Sequence, residues 1–125
     1  MADNQKIDVH TKTRYLEEQS APDAGRFVFS YTIRITNKGT SPAKLLTRHW
    51  VITDGEGQIQ KVDGDGVVGE QPLIQPGKSF EYTSGAMLET PFGTMHGHYQ
   101  FRSQSGELFE APIPAFLLST PNSVH

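Results

Sequence analysis

Between residues 26 and 37 the apolar side chains fall on every second position. Phe27, Phe29, Tyr31, Ile33 and Ile35 share one face, and Val28, Ser30, Thr32, Arg34 and Thr36 share the other. Only an extended chain collects such a period on one side, so this stretch reads as a half-buried antiparallel strand. Ile7, Val9, Thr11, Thr13 and Tyr15 repeat the pattern upstream, and Pro22-Asp23-Ala24-Gly25 between the two runs has turn chemistry. A third strand follows through Leu45, Leu46, Arg48, Trp50 and Ile52. It ends at Asp54-Gly55-Glu56-Gly57, and residues 58–62 form a short fourth strand. Pro76-Gly77 turns the chain into a strand over 79–84, with Phe80 and Tyr82 inward. The last two strands read as 95–101 and 108–113, joined by Ser103-Gln104-Ser105-Gly106. Seven or eight short strands with frequent turns and no convincing helix predict an all-β, immunoglobulin/fibronectin type III-like, two-sheet antiparallel sandwich. Trp50, mid-strand, is the expected aromatic pillar of its core, with Tyr82, Tyr99 and Phe101.

A chain of 125 residues makes one domain, residues 1–125, with about 1–5 and 115–125 as loose termini. Pro112, Pro114 and Pro121 make the tail irregular or edge-like. A hydrophobic content of 35% with 12 glycines and 8 prolines suits a turn-rich β protein. The absence of cysteine excludes disulfides, thiol nucleophiles and Cys-ligated metals. Together with a polar N-terminus lacking a signal-peptide core, it leads us to expect a cytoplasmic protein. A net charge of −3 without a basic stripe argues against nucleic acid as a partner. No apolar run is long enough to cross a membrane as a helix.

The second half carries a distinctive punctuation. Arg48-His49-Trp50-Val51-Ile52-Thr53-Asp54 is followed by Gly64-Asp65-Gly66-Val67-Val68-Gly69-Glu70-Gln71-Pro72 and by Ile74-Gln75-Pro76-Gly77-Lys78-Ser79-Phe80-Glu81-Tyr82-Thr83-Ser84-Gly85. Leu88-Glu89-Thr90-Pro91-Phe92-Gly93-Thr94-Met95-His96-Gly97-His98-Tyr99 then closes the series. These blocks resemble the ApaG (CorD) family in its stand-alone bacterial form, and the resemblance covers nearly the whole chain. It implies a fibronectin III-like sandwich. It also implies a link to diadenosine polyphosphate metabolism, through the diadenosine tetraphosphatase operon, and to cobalt and magnesium homeostasis. In eukaryotes similar domains are appended to F-box and polymerase-associated proteins, where they are thought to mediate protein–protein contact. The family has no established catalytic residues to carry over.

Three groups of residues are candidates for function. Gly64, Gly66 and Gly69 spell G-x-G-x-x-G, which in dinucleotide-binding folds opens a helix whose N–H groups hold a pyrophosphate. Here Glu70-Gln71-Pro72 and Pro76-Gly77 deny it that helix, and Asp63, Asp65 and Glu70 outnumber Lys61. A phosphate would need a backbone nest or a bridging divalent cation; otherwise the glycines simply serve a bulged connection. His96 and His98, two apart in a strand, share a face and could offer two ligands to a divalent metal, with Asp63 or Asp65 as a third. The plainer alternative is two solvent-facing polar side chains. Met87, Leu88, Pro91, Phe92 and Met95 place apolar groups around a connection, either capping the core or forming a contact patch.

No G-x-S-x-G elbow, H-E-x-x-H pair or P-loop is present, so we expect no enzyme. The sequence favours a binding module without a cofactor. Its protein partner would meet Asp65, Val67, Val68, Met87, Leu88 and Phe92. The alternative is a binder of a pyrophosphate-containing nucleotide, with or without a divalent metal, and a homodimer stays open.

Overall fold

The computed structural model describes residues 6–121. Among them are eight strands: β1 Ile7–Tyr15, β2 Phe27–Asn37, β3 Ala43–Asp54, β4 Ile59–Asp65, β5 Leu73–Ile74, β6 Ser79–Leu88, β7 Phe92–Ser103 and β8 Leu108–Ser119. β1, β2 and β6 form one antiparallel sheet in that order. The other runs β4-β3-β7-β8, with β5 pairing beside the start of β3. Two short 3₁₀ turns, Glu17–Gln19 and Pro22–Ala24, carry the chain from β1 to β2. This is the all-β, two-sheet sandwich that the alternation predicts. Among the described residues no helix is long and apolar enough to cross a membrane.

The alternating residues of β2 explain the packing. Phe29, Ile33 and Ile35 are fully buried, and Tyr31 nearly so. They face Trp50, Met95, Tyr99, Phe101, Ile113 and Leu118 of the larger sheet. Trp50 is 2% exposed, with the rings of Tyr31 and Phe116 edge-on at 5.4 and 5.8 Å. Its Nε1 has no hydrogen-bond partner among the described residues, so the indole acts as apolar bulk. A side-chain tie crosses the interior between the sheets: the hydroxyls of Tyr82 on β6 and Tyr99 on β7 lie 2.5 Å apart. Burial pushes both phenols well above the ordinary tyrosine range.

Several strands are longer than the local pattern suggests. β8 continues through 115–119, where the prolines and the expected loose terminus had argued for an end. It is an edge strand, so the missing N–H groups of Pro112 and Pro114 need no partner there. Met95 pairs Phe116 and Gly97 pairs Ile113, so Pro114 and Ala115 bulge opposite His96. Residues 1–5 and 122–125 of the expected loose termini lie outside the described residues. β4 reaches Asp65, so Gly64 and Asp65 belong to a strand and not to a loop. β6 reaches Leu88 and β7 starts at Phe92, leaving only residues 89–91 as the connection.

Candidate functional site

The site begins with a bulge. The register of β3 against β7 shifts between Leu45 and Thr47, so Leu46 has no direct partner on β7. Its carbonyl accepts the N–H of Gly66 at 2.8 Å and the Nε2 amide of Gln71 at 2.9 Å. Both ends of the segment after β4 are thereby fixed to the sheet. Arg48 clamps the same segment from the core side. It sits opposite Gly64, and its guanidinium lies 2.7 Å from where a Cβ of residue 64 would be. Its Nη1 donates to the carbonyls of Asp65 and Gly66 at 3.0 Å each. Only glycine leaves room for that clamp.

At Gly66, with φ 62°, the backbone folds back and a Cβ would collide with the carbonyl of Glu70. Val67 and Glu70 then exchange N–H to carbonyl hydrogen bonds of 2.8 and 3.0 Å around a two-residue turn. Both central residues, Val68 at 48° and Gly69 at 79°, have positive φ. That is the signature of a type I′ turn, normally built from Asn and Gly. Val67 plugs the core completely, while Val68 is 61% exposed at the tip.

Next to the turn lies the outer face of the larger sheet. The register puts Asp63 of β4, His49 of β3 and His98 of β7 in one cross-strand row. His49 Nδ1 is hydrogen-bonded to the carboxylate of Asp63. Its ring stacks on that of His98 at 4.9 Å, and His98 Nε2 lies 3.4 Å from Glu110 of β8. A shallow depression of about 400 Å³ follows this row, with Thr47, Arg48, Gly64, Asp65 and Gln100 completing its wall.

The predicted site residues scatter across these features. Gly64, Gly66 and Gly69 do serve one feature, yet the N–H groups of Gly66, Val67 and Glu70 are engaged inside the fold. Asp65 and Val68 are exposed there, but Val67 is buried and offers no side chain to a partner. Leu88 likewise lies in the core at 4% exposure, because the last residue of β6 still alternates inward. Phe92 is half-buried against Gly55 and Met95 is in the core, leaving Met87 and Pro91 of this group exposed. His96 and His98 share the outer face as expected, but His98 turns to His49 and Glu110, whereas His96 pairs across to Val51. Among the described residues no group of three or more His, Asp or Glu side chains is gathered to hold a metal ion.

Sequence reasoning missed His49, Glu110 and Arg48 as parts of one site. Parity alone sets His49 outward beside the inward Trp50, but its neighbours come from strand register, which a single sequence does not display.

A sequence model described as the ApaG domain matches residues 17–103. The chain belongs to the ApaG domain family. It is 55% identical to Protein ApaG of Azoarcus sp. (strain BH72), with 96% of this chain and 94% of that protein covered. Protein ApaG of Pseudomonas aeruginosa (strain LESB58) is 53% identical over the whole of both chains. Among solved structures, that of a Bordetella pertussis protein called ApaA superposes with a TM-score of 0.94. It has 50% sequence identity and covers 98% of this chain and all of that one.

Proposed function

We propose that this domain is a non-catalytic binding module. It takes a protein partner on the outer face of its larger sheet, where the turn at 67–70 stands beside the His49–His98 depression. Val68 carries this reading. A β-branched residue at φ 48° is strained by about 1–2 kcal/mol where glycine would not be. At 61% exposure its side chain recovers little of that through burial in the fold. Contact with a partner gives an exposed, strained valine a use, on a turn held rigid by Arg48 and Leu46.

The charge of the depression indicates what the partner brings. Asp63, Asp65 and Glu110 line it, and the guanidinium of Arg48 is already donating to two carbonyls. A basic segment with one apolar side chain for Val68 is the complement. A nucleotide polyphosphate meets those same carboxylates and a loop whose inner N–H groups are engaged.

The test is affinity capture from a bacterial lysate with wild type, Val68→Gly and Val68→Asp. Val68→Asp should lose the partner and Val68→Gly should weaken its capture, with neither lowering the melting temperature. Capture of the same proteins by all three forms would overturn the reading. Saturable amide shifts confined to residues 64–70 on adding ATP or a diadenosine polyphosphate would put a nucleotide in the partner's place.

A further inference from the structure

An open sandwich has four strand edges, and a bare edge presents unpaired N–H and C=O groups to any other extended chain. Three of the four edges here are protected. β8 carries Pro112, Pro114 and the bulge opposite His96. β1 lies against β8, with Thr13 Oγ1 donating to the carbonyl of Leu117 at 3.4 Å. β4 is short and points Lys61, Asp63 and Asp65 outward.

β6 has none of these devices. It is ten residues long, holds neither proline nor lysine, and among the described residues pairs only with β2. A groove of about 170 Å³, walled by Gln58, Ile59 and Gln60, separates its end from β4. Glu81 is its one charged residue, and Arg34 stands directly opposite on β2. Its inward residues Phe80, Ser84 and Ala86 are only half-buried.

We infer that β6 is a self-association edge: a second copy of this chain adds its own β6 antiparallel, joining two three-stranded sheets into one of six. The residue pattern supports a copy of itself as the occupant. A two-fold axis through Thr83 sets Glu81 against Gly85 of the other copy, so the only charge on the strand never meets its own image. The same register places Phe80 against Ala86, covering the half-buried ring. It sets Thr83 against Thr83, extending outward the hydroxyl pair that Thr83 already makes with Thr32 at 2.8 Å. The inference is independent of the partner surface proposed above, which stays open on the other sheet.

Sedimentation equilibrium of the full chain over a wide concentration range tests it, with hydrogen exchange reporting on β6. Wild type should dimerise reversibly, with β6 amides gaining protection as concentration rises. Thr83→Lys sets two lysines face to face and should weaken association roughly tenfold. Gly85 has no positive φ, and a Cβ there would meet the Phe29 carbonyl at an ordinary contact distance of 3.5 Å, so it accepts side chains. Gly85→Lys should tighten the dimer by pairing with Glu81, and Gly85→Glu should loosen it, each by about threefold to tenfold. Melting curves confirm that the variants stay folded. A wild type that is monomeric throughout, or a dimer indifferent to all three substitutions, would overturn the inference.

Discussion

Two stretches of this chain look alike in sequence and behave differently in the fold. Residues 64–70 and 87–95 each mix glycine with apolar side chains around a strand-to-strand connection. The second is anchored in the core, although its Met87 stays half exposed. Leu88 is buried, and Thr90, 7% exposed, takes the N–H of Gly55 at 2.8 Å and donates to the carbonyl of Phe92 at 2.7 Å. The ring of Phe92 then covers Gly55. The first stretch is fixed just as firmly, by Arg48 and the Leu46 carbonyl, yet it turns Val68 outward under backbone strain. Both are rigid. Each buries one apolar side chain and exposes another; what separates them is the backbone beneath the exposed one, regular strand at Met87 and a positive-φ turn at Val68.

Trp50→Ala should have the largest effect and should not discriminate between the two stretches, because the indole lies in the shared core. Truncation of a buried tryptophan costs about 3–5 kcal/mol, a large fraction of a small domain's stability. Urea unfolding measures it, and a midpoint that barely moves would place Trp50 outside the core.

Thr90→Val sharpens the contrast. It keeps the shape but strands the Gly55 N–H and takes the hydroxyl away from the Phe92 carbonyl, so about 1–3 kcal/mol should be lost. If unfolding shows less than about 0.5 kcal/mol, water reaches these groups and the 89–91 end is not closed.

The tyrosine tie between the sheets gives a pH signature. Tyr82 and Tyr99 have phenol pKa values raised by burial above the ordinary value of 10.0, so the folded state keeps protons that the unfolded chain releases. Stability is therefore fully present below about pH 10 and declines as pH rises beyond it. Tyr99→Phe should flatten that alkaline decline in thermal melts, and an unchanged slope would contradict the assignment.

The smallest effect is the most diagnostic. Val68→Gly removes the positive-φ penalty but adds chain entropy to the unfolded state, so stability should hold or rise by up to about 1 kcal/mol. A clear loss of stability would mean that Val68 packs like Leu88, and the comparison between the two stretches would fail.

The sheets themselves were legible in the residue pattern. The alternation through β2 and β7, the turn residues at 22–25, 54–57 and 76–77, and the inward Trp50 all follow from the two-residue period of an extended chain. Strand ends were less legible. β8 passes its prolines because it is an edge, and β6 and β7 extend into what the glycine, threonine and proline content suggested was a loop.

The candidate site was legible only in part. Sequence alone marked residues 64–70 as unusual, through glycines that must adopt special backbone angles or make room. It also put His98 on an outer face. Tertiary structure decided which neighbours those residues meet. His49, Asp63 and Glu110 come from three other strands and reach His98 through register, a relation between segments that no local pattern encodes. It likewise decided that Val67 goes in and Val68 out, because a bulge at Leu46 and the Arg48 clamp set the path of the turn. Local sequence determines which conformations a segment can adopt; the long-range hydrogen bonds select among them.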